Sequence, residues 1–314
     1  MNFSLVVTCF NEMRGLARWR REIEAQTRPP DEIVVVDSES TDGTTACLKA
    51  WAGMDRRVRV IVQKCKPARG HNLGNEAASH DHIVSTDMGV RLDPRWFEEI
   101  VKPFEEDNSV EVVAGSYEIE KDSLRSAAAR AEYYLENGGR PRLEPGFVPG
   151  NRSMAYTKKV WRELGGLPED LTQYADDSVF GRQILQAGYK MAFAPKAMVY
   201  WFRPNRLRDF WKEQFKYGKG DGEALIKTPF AFRLYQRKRL PKAMVPLLTA
   251  IRTLQKQISW QAVKSALVAR DLPALPVMPL LLLGSGYYFG NGYLLGAQHG
   301  QVHCQACRLR LTNT

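Results

Sequence analysis

The sequence predicts an α/β fold built on a mostly parallel sheet flanked by helices, on three observations. Short apolar runs rich in β-branched residues, at 3–8, 32–36, 58–63 and 81–86, alternate with helix-length segments such as Met13–Glu24 and 44–53. Strands alternating with helices imply parallel pairing through right-handed crossovers. Two of the runs end in a carboxylate, Asp37 and Asp87, and in open α/β sheets strand ends line the crevice where ligands bind. Finally, 314 residues that are 44% hydrophobic and 25% charged can bury a sizeable core.

The later elements follow in order. VEVVAGSYEI (110–119) reads as a strand, 123–136 as a helix, and 137–150 as a loop rich in Gly and Pro. RSMAYT (152–157) is a further strand, and a helix closes at the pair Gly165-Gly166. Asp176–Ala187 reads as a helix stopped by Gly188, with KMAFAP and MVYWF as two short strands after it. Beyond Arg203 the pattern turns helical and basic, with 16 Lys and Arg against four acidic residues between 203 and 270. That segment faces anions: phosphate-rich ligands, lipid headgroups or nucleic acid.

Residues 272–297 then carry no charged side chain, more than the ~20 residues a bilayer span needs. Prolines at 273, 276 and 279 and glycines at 284, 286, 290, 292 and 296 interrupt the run. It reads as a membrane-embedded or interfacial anchor, because the preceding basic segment is attracted to anionic lipid; a packed C-terminal hairpin is the alternative. Five cysteines without a secreted-framework spacing, and no signal peptide at the start, lead us to expect a cytoplasmic catalytic part. Cys304 and Cys307, with His299 and His303 nearby, form either a metal-binding group or ordinary thiols.

The densest signal is SHDHIVSTDMGVRLDPRW (79–96). An apolar strand runs into Asp87, and Asp93 as N-cap with Pro94 as first helical residue opens the next helix. This is the layout of a nucleotide-diphosphate site, although an isolated carboxylate can also simply end a strand.

LVVTCFNE (5–12), QTRPPDEIVVVDSESTDGT (26–44), KPARGHNLGNEAA (66–78) and the Asp87 segment occur in one order and spacing. In this the chain resembles the inverting glycosyltransferases of family 2, enzymes of the GT-A fold, over roughly residues 3–222. The resemblance implies a catalytic domain at 1–222, with nucleotide-sugar binding over about 1–115 and the acceptor side over about 116–222. Residues 223–314 then form a basic helical extension that carries the hydrophobic segment. It also implies donor contacts from Thr8, Phe10, Asn11, Glu12, Asp37, Arg69, Asn72 and Asp87. Asp37 and its neighbours also fit a plain Asx turn, and Arg69 a solvated surface charge.

Enzymes of this kind hold Mn²⁺ or Mg²⁺ on an Asp-x-Asp pair that bridges the diphosphate, since a hard cation neutralises charge on the leaving group. Here Asp87-Met88-Gly89 keeps the first carboxylate and has glycine for the second, so fewer protein ligands hold the metal or another acid such as Asp93 substitutes. On the acceptor side, GGLPEDLTQYADDSVFGRQILQAGYKMAFAP (165–195) matches the family's pattern and aligns Asp177 with the catalytic base. The adjacent carboxylates of Asp176 and Asp177 equally suit a helix N-terminus with no catalytic role. Arg182, five residues on, would steady a phosphate or pair with an acid. The segment 151–155 would shape the acceptor cleft, and Tyr217 and Lys219 align with the region that closes over the diphosphate.

The function expected is sugar transfer with inversion from a nucleoside-diphosphate donor to a glycan or lipid-linked acceptor, in polysaccharide or cell-envelope assembly at the cytoplasmic face of the membrane. The alternatives are a catalytically silent nucleotide-binding scaffold and a basic nucleic-acid-binding protein. The second lacks any nucleic-acid module, so no nucleic-acid partner is expected. A Walker loop, a dinucleotide fingerprint and the Gly-rich phosphate loop of sugar nucleotidyltransferases are likewise missing from the sequence.

Overall fold

The structure, a computed structural model, describes residues 1–171 and 174–303. Cys304 and Cys307 lie outside the described residues, as does the side chain of His303. Two compact units make up the chain: Met1–Glu118, Pro141–Glu169 and Asp176–Trp201 in the first, with Ile119–Arg140, Asp170–Ala175 and the residues from Phe202 onward in the second.

The first unit begins as the hydrophobic alternation predicts. Strand β1 (Phe3–Cys9), helix α1 (Met13–Glu24), β2 (Glu32–Asp37), α2 (Thr44–Met54), β3 (Val58–Val62), α3 (Pro67–Ala77) and β4 (His82–Ser85) alternate without exception. The apolar side chains of β1 and β2 are buried on both faces of the sheet. On α1, the buried residues Leu16, Trp19 and Ile23 recur at helical spacing. Trp19 meets Trp51 of α2 edge-on with centroids 6.2 Å apart. Each such side chain contributes about 1.5–3 kcal/mol on leaving water.

Next come β5 (Val90–Leu92), α4 (Trp96–Glu106), β6 (Val112–Ile119), α5 (Ala127–Leu135), β7 (Met154–Thr157), α6 (Lys158–Glu163), α7 (Asp176–Ala187) and β8 (Met191–Trp201). The eight strands form one mixed sheet in the order β3-β2-β1-β4-β7-β6-β8-β5. It is parallel from β3 to β4, and the β4–β7, β7–β6 and β5–β8 pairs are antiparallel. This is the α/β fold that the strand and helix alternation predicts.

Three details differ from the sequence reading. Helix α4 starts at Trp96 rather than Pro94, because the Asp93 carboxylate accepts the Arg95 N–H at 3.1 Å and its carbonyl accepts that of Trp96, which makes a turn there. Helix α5 starts at Ala127, where Ser126 caps the Ala129 N–H at 3.1 Å, after a separate 3-10 turn at Lys121–Ser123. KMAFAP and MVYWF are one strand, β8, that runs through Pro195; β5 pairs only Val199–Trp201, so one edge is left open where the proline has no N–H to give.

Besides α5, the second unit consists of α8 (Leu207–Glu223), α9 (Phe230–Gln236), α10 (Val245–Gln257), α11 (Trp260–Val268) and α12 (Val277–His303). The glycines that break up the uncharged run are the contact surface of α12. A Cβ on Gly292 would strike the Phe215 carbonyl, and one on Gly296 that of Lys219. From the other side, Gly218 and Gly222 of α8 meet the carbonyls of Phe289 and Tyr293. Glycine every fourth residue on both helices lets their backbones touch. The rest of the run stays uncovered: Leu280, Tyr287 and Leu295 are 55%, 47% and 47% exposed. The run is thus one long helix after a short 3-10 turn rather than a hairpin, with one face packed and the other open.

Candidate active site

The order β2-β1-β4 makes the crevice between the ends of β1 and β4 a topological switch point, where successive crossovers leave in opposite directions. Carried past its last pair, the β1–β4 register of Val6 with Ser85 sets Thr8 beside Asp87. The antiparallel β4–β7 register of Ser85 with Met154, carried on likewise, sets Asp87 opposite Arg152.

On the β1 side the chain leaves the sheet through Phe10, 58% exposed, and Asn11, whose φ of 57° lies in the left-handed region. Asn11 is clamped to the β2 turn: its N–H donates to Ser40 Oγ at 2.8 Å, and its Oδ1 accepts the Thr41 N–H at 2.9 Å. The Glu12 N–H donates to Thr44 Oγ1 at 2.9 Å. Asp37 is fully buried, and its carboxylate accepts from the N–H and hydroxyl of Ser40, from the Thr45 hydroxyl and from the Cys9 thiol. Its oxygens thus frame the turn against which Asn11 is held. Thr8 Oγ1 lies 3.5 Å from Nε2 of buried His71, whose pKa burial lowers to about 4.

Asn72 and Arg69, on α3, hold the 167–169 loop. Asn72 is buried, donates to the Leu167 carbonyl at 2.9 Å and the Glu169 carboxylate at 2.8 Å, and accepts the Trp161 indole N–H and the Leu167 N–H, both at 2.9 Å. Arg69 pairs with Glu76 and Glu169 at 3.4 and 3.3 Å.

Asp87 stands at the floor of the crevice, itself reached by water but walled by protein. Burial pushes its pKa up, Arg152 opposes that, and the charge of Asp177 adds to it. The Arg152 guanidinium lies over two rings, Trp201 at 4.2 Å and Tyr117 at 4.6 Å, and the Thr86 hydroxyl donates to the Arg152 carbonyl at 2.8 Å. Stacking on both rings leaves the planar donors of Arg152 fixed in direction.

The N-terminus of α7 brings in the second pair of acids. Burial first, then the charges of Asp177 and Asp87, push the Asp176 carboxyl from 3.8 up to about 7. Half-buried Asp177, in the first turn of α7, accepts the Ser178 N–H at 2.7 Å. A Cβ on Gly150 would come within 2.9 Å of the Asp177 carboxylate, so the glycine keeps that space open. Glu12 belongs to the same field: burial raises its pKa, followed by Asp42 and Asp87. Glu12, Asp87, Asp176 and Asp177, from three parts of the sequence, thus act on one another electrostatically. Arg182 is on α7, and its buried Nε has no hydrogen-bond partner among the described residues.

Asp93 takes no part in this group. Its carboxylate is engaged by the Tyr200 hydroxyl at 3.4 Å and by the α4 turn. Tyr217 and Lys219 belong to the second unit, on α8, where the Tyr217 hydroxyl donates to Glu213 at 2.9 Å and Lys219 lies 3.7 Å from the Glu223 carboxylate. Arg152 is the site residue that the sequence reading did not single out; it marked only the segment 151–155.

The carboxylates suit a divalent cation, because burial and mutual repulsion leave negative charge in the crevice that a cation would relieve. Among the described residues, however, no three His, Cys, Asp or Glu stand close enough to form a metal site by themselves. The fit is to an ion held by one or two carboxylates and completed by ligand phosphates and water, as is usual for Mg²⁺.

A crevice at the switch point of a mixed α/β sheet, with carboxylates at its floor and at a facing helix end, is the arrangement of a nucleotide-sugar transferase. The profile of the glycosyltransferase-like family 2 matches residues 1–218, and the chain belongs to that family. It is 27% identical to the O-antigen chain rhamnosyltransferase WbaN of Salmonella anatum over 210 residues, 63% of this chain and 65% of that protein. To the succinoglycan biosynthesis protein ExoA of Rhizobium meliloti it is 23% identical over 271 residues, covering 82% of this chain and 79% of the relative. This chain thus spans about two thirds of the rhamnosyltransferase's length. The solved structure of the mannosyltransferase PcManGT from Pyrobaculum calidifontis, in complex with GDP-Man and Mn²⁺, shares the GT-A fold at a TM-score of 0.56 and 20% identity, over 90% of this chain and 85% of that one.

Proposed function

We propose that this glycosyltransferase moves a sugar from a nucleoside-diphosphate donor to a glycan or lipid-linked acceptor with inversion at the anomeric carbon, in polysaccharide or cell-envelope biosynthesis. The observation that carries the reading is the convergence of Glu12, Asp87, Asp176 and Asp177 on one crevice, with Arg152 acting on Asp87. Relatives named for O-antigen rhamnosyl transfer and succinoglycan biosynthesis support the polysaccharide setting.

In this reading Thr8, Phe10, Asn11 and Glu12 line the base and ribose side, and Asp37 holds their loop in place. Arg69 and Asn72 fix the 167–169 loop beside them. Asp87 would hold a Mn²⁺ or Mg²⁺ ion, which when bound supplies positive charge to the departing diphosphate. Arg152 and Arg182 add fixed cations on the diphosphate side. Asp177 takes the proton from the acceptor hydroxyl as that oxygen attacks in line with the leaving phosphate. Asp176, held above the ordinary carboxylate range, keeps a second full charge away from Asp177 near neutrality. Tyr217 and Lys219 are proposed to contribute to the diphosphate side, with residues 1–222 as the catalytic domain.

The exposed face of α12 is the basis for membrane association at the cytoplasmic face. Because its other face is packed against α8, a helix with charged residues from Arg208 to Glu223, α12 is read as lying in the interface rather than crossing alone.

A thermal-shift screen of nucleoside diphosphates with and without Mn²⁺ tests the donor reading, GDP among them because the mannosyltransferase neighbour contains GDP-Man. One diphosphate at 100 times its Kd should add about 2.7 kcal/mol of stability. Asp87→Ala should remove that gain. If none of the diphosphates stabilises the chain, the donor site assigned to this crevice is wrong.

A further inference from the structure

The second unit contains a cavity of about 500 Å³ lined wholly by its own residues, none of which belongs to the proposed donor crevice. Its walls are mixed in chemistry. They carry the cations Lys227, Arg233, Arg252 and Lys256 together with the apolar side chains of Phe210, Leu281, Leu282 and Phe289. Lys227 has a partner, the Asp221 carboxylate at 3.4 Å. Arg233, Arg252 and Lys256 make no salt bridge among the described residues, and Arg252 is aimed by stacking on Phe230, 4.8 Å from the ring centre. The acids in the lining are Glu132 and Glu136, and Glu132 is neutralised by a two-point pair with buried Arg203.

The helices that build the cavity also leave apolar side chains uncovered beside it. Leu280 and Leu283 flank the lining residues Leu281 and Leu282 on α12, and Leu247 and Ile251 precede Arg252 on α10; all four are exposed. A water-soluble anion would satisfy the cations and leave the leucines and phenylalanines without a partner. A neutral lipid would do the reverse. The ligand that satisfies both kinds of side chain joins a phosphate headgroup to a hydrocarbon chain, and basic pockets between membrane-facing helices recognise lipid headgroups in this way.

We propose that this cavity binds an anionic phospholipid, with the phosphate on Arg233, Arg252 and Lys256 and the first part of a chain against α12. This deepens the membrane reading of α12 and rests on it, and it is independent of the donor crevice. The test is lipid retention by the detergent-solubilised full chain in native mass spectrometry, which needs no membrane localisation of the protein. The probes are dioleoyl phosphatidic acid, dioleoyl phosphatidylcholine and glycerol 3-phosphate. Phosphatidic acid is expected to be retained about tenfold better than phosphatidylcholine, with glycerol 3-phosphate not retained. The double variant Arg252→Glu, Lys256→Glu should lose that preference, Arg252→Lys should keep most of it, and Ser285→Trp should block the cavity by bulk. Equal retention of the two lipids overturns the proposal, as does retention of glycerol 3-phosphate alone. So does an unchanged preference in a charge-reversed protein whose circular dichroism matches the parent. Fractionation of the protein as soluble would end the membrane reading while leaving these binding results to stand or fall separately.

Discussion

In the first unit, carboxylates from three separate chain segments act on one another at the strand ends, and Arg152 opposes the charge of Asp87 among them. In the second, Arg203 is more fully enclosed, yet its guanidinium donates to Glu132 at 2.6 Å and to Glu213 at 2.8 and 3.0 Å, so this buried cation is held by carboxylates of the protein itself. The difference separates a site from a frame. Buried charge matched within the protein fixes a packing arrangement, whereas buried charge left unmatched destabilises the empty fold and is relieved by what binds.

Removing the proposed base from the unmatched group should have the largest effect. Asp177→Asn is expected to lower transfer by roughly 10²–10⁴-fold while leaving donor affinity within about twofold, since a general base acts in the transition state and not in the donor complex. Single-turnover measurement with the donor found by the screen checks it. Turnover near that of the parent would leave Asp177 as an acidic residue of the α7 N-terminus with no catalytic role.

Breaking the matched group should instead be felt in folding. Arg203→Met leaves Glu132 enclosed without its partner and should cost about 3–5 kcal/mol, the range for removing one member of a buried ion pair. Denaturant unfolding of the full chain measures this. A loss under about 1 kcal/mol would mean that water reaches the three charges and that the contrast between the units is weaker than drawn.

How far the sequence discloses this contrast depends on how local each part is. Helices α1 and α7 have the bounds that the sequence predicts, Met13–Glu24 and Asp176–Ala187, because an amphipathic stripe in one and an acidic start and glycine stop in the other lie within one stretch. The carboxylates Asp87 and Asp177 stand out for the same reason. Arg152 does not, because its meaning depends on β7 pairing with β4, a contact between residues about 70 apart that no window of sequence contains. Strand β5 is three residues long, too short for any alternation to register. The glycines of 284–296 read as helix breakers when each is taken alone; only the facing glycines Gly218 and Gly222 on α8 turn them into a contact surface.

Arg152 tests how much of the unmatched charge the protein itself offsets. Since Arg152 lowers the Asp87 pKa against the effect of burial, Arg152→Ala should raise it further. If Asp87 holds the donor's metal as proposed, donor binding should then fail at a higher pH on acidification than in the parent, and affinity at neutral pH should fall by about tenfold. Arg152→Lys keeps the charge but not the flat face that lies on Trp201 and Tyr117, so it should restore the pH profile more fully than the affinity. An acid limb that stays put in the alanine variant would separate Arg152 from Asp87.

The smallest expected effect concerns the empty fold. Burial first and the Asp177 charge second hold the Asp176 carboxyl up to about 7, so the folded chain binds this proton more tightly than the unfolded chain, where the group titrates near 3.8. The stability tied to that proton is fully present below 3.8 and is lost as the pH rises through 7. Above that range the fold carries an enclosed carboxylate pair. Asp176→Asn removes the titration while keeping nearly the same volume, so at pH 8 the variant should melt a few degrees higher than the parent, and at pH 4 the two should nearly coincide. Melting curves at the two pH values decide it. An identical difference at both would show that Asp176 is matched within the protein after all, which would place this end of the crevice with the frame rather than the site.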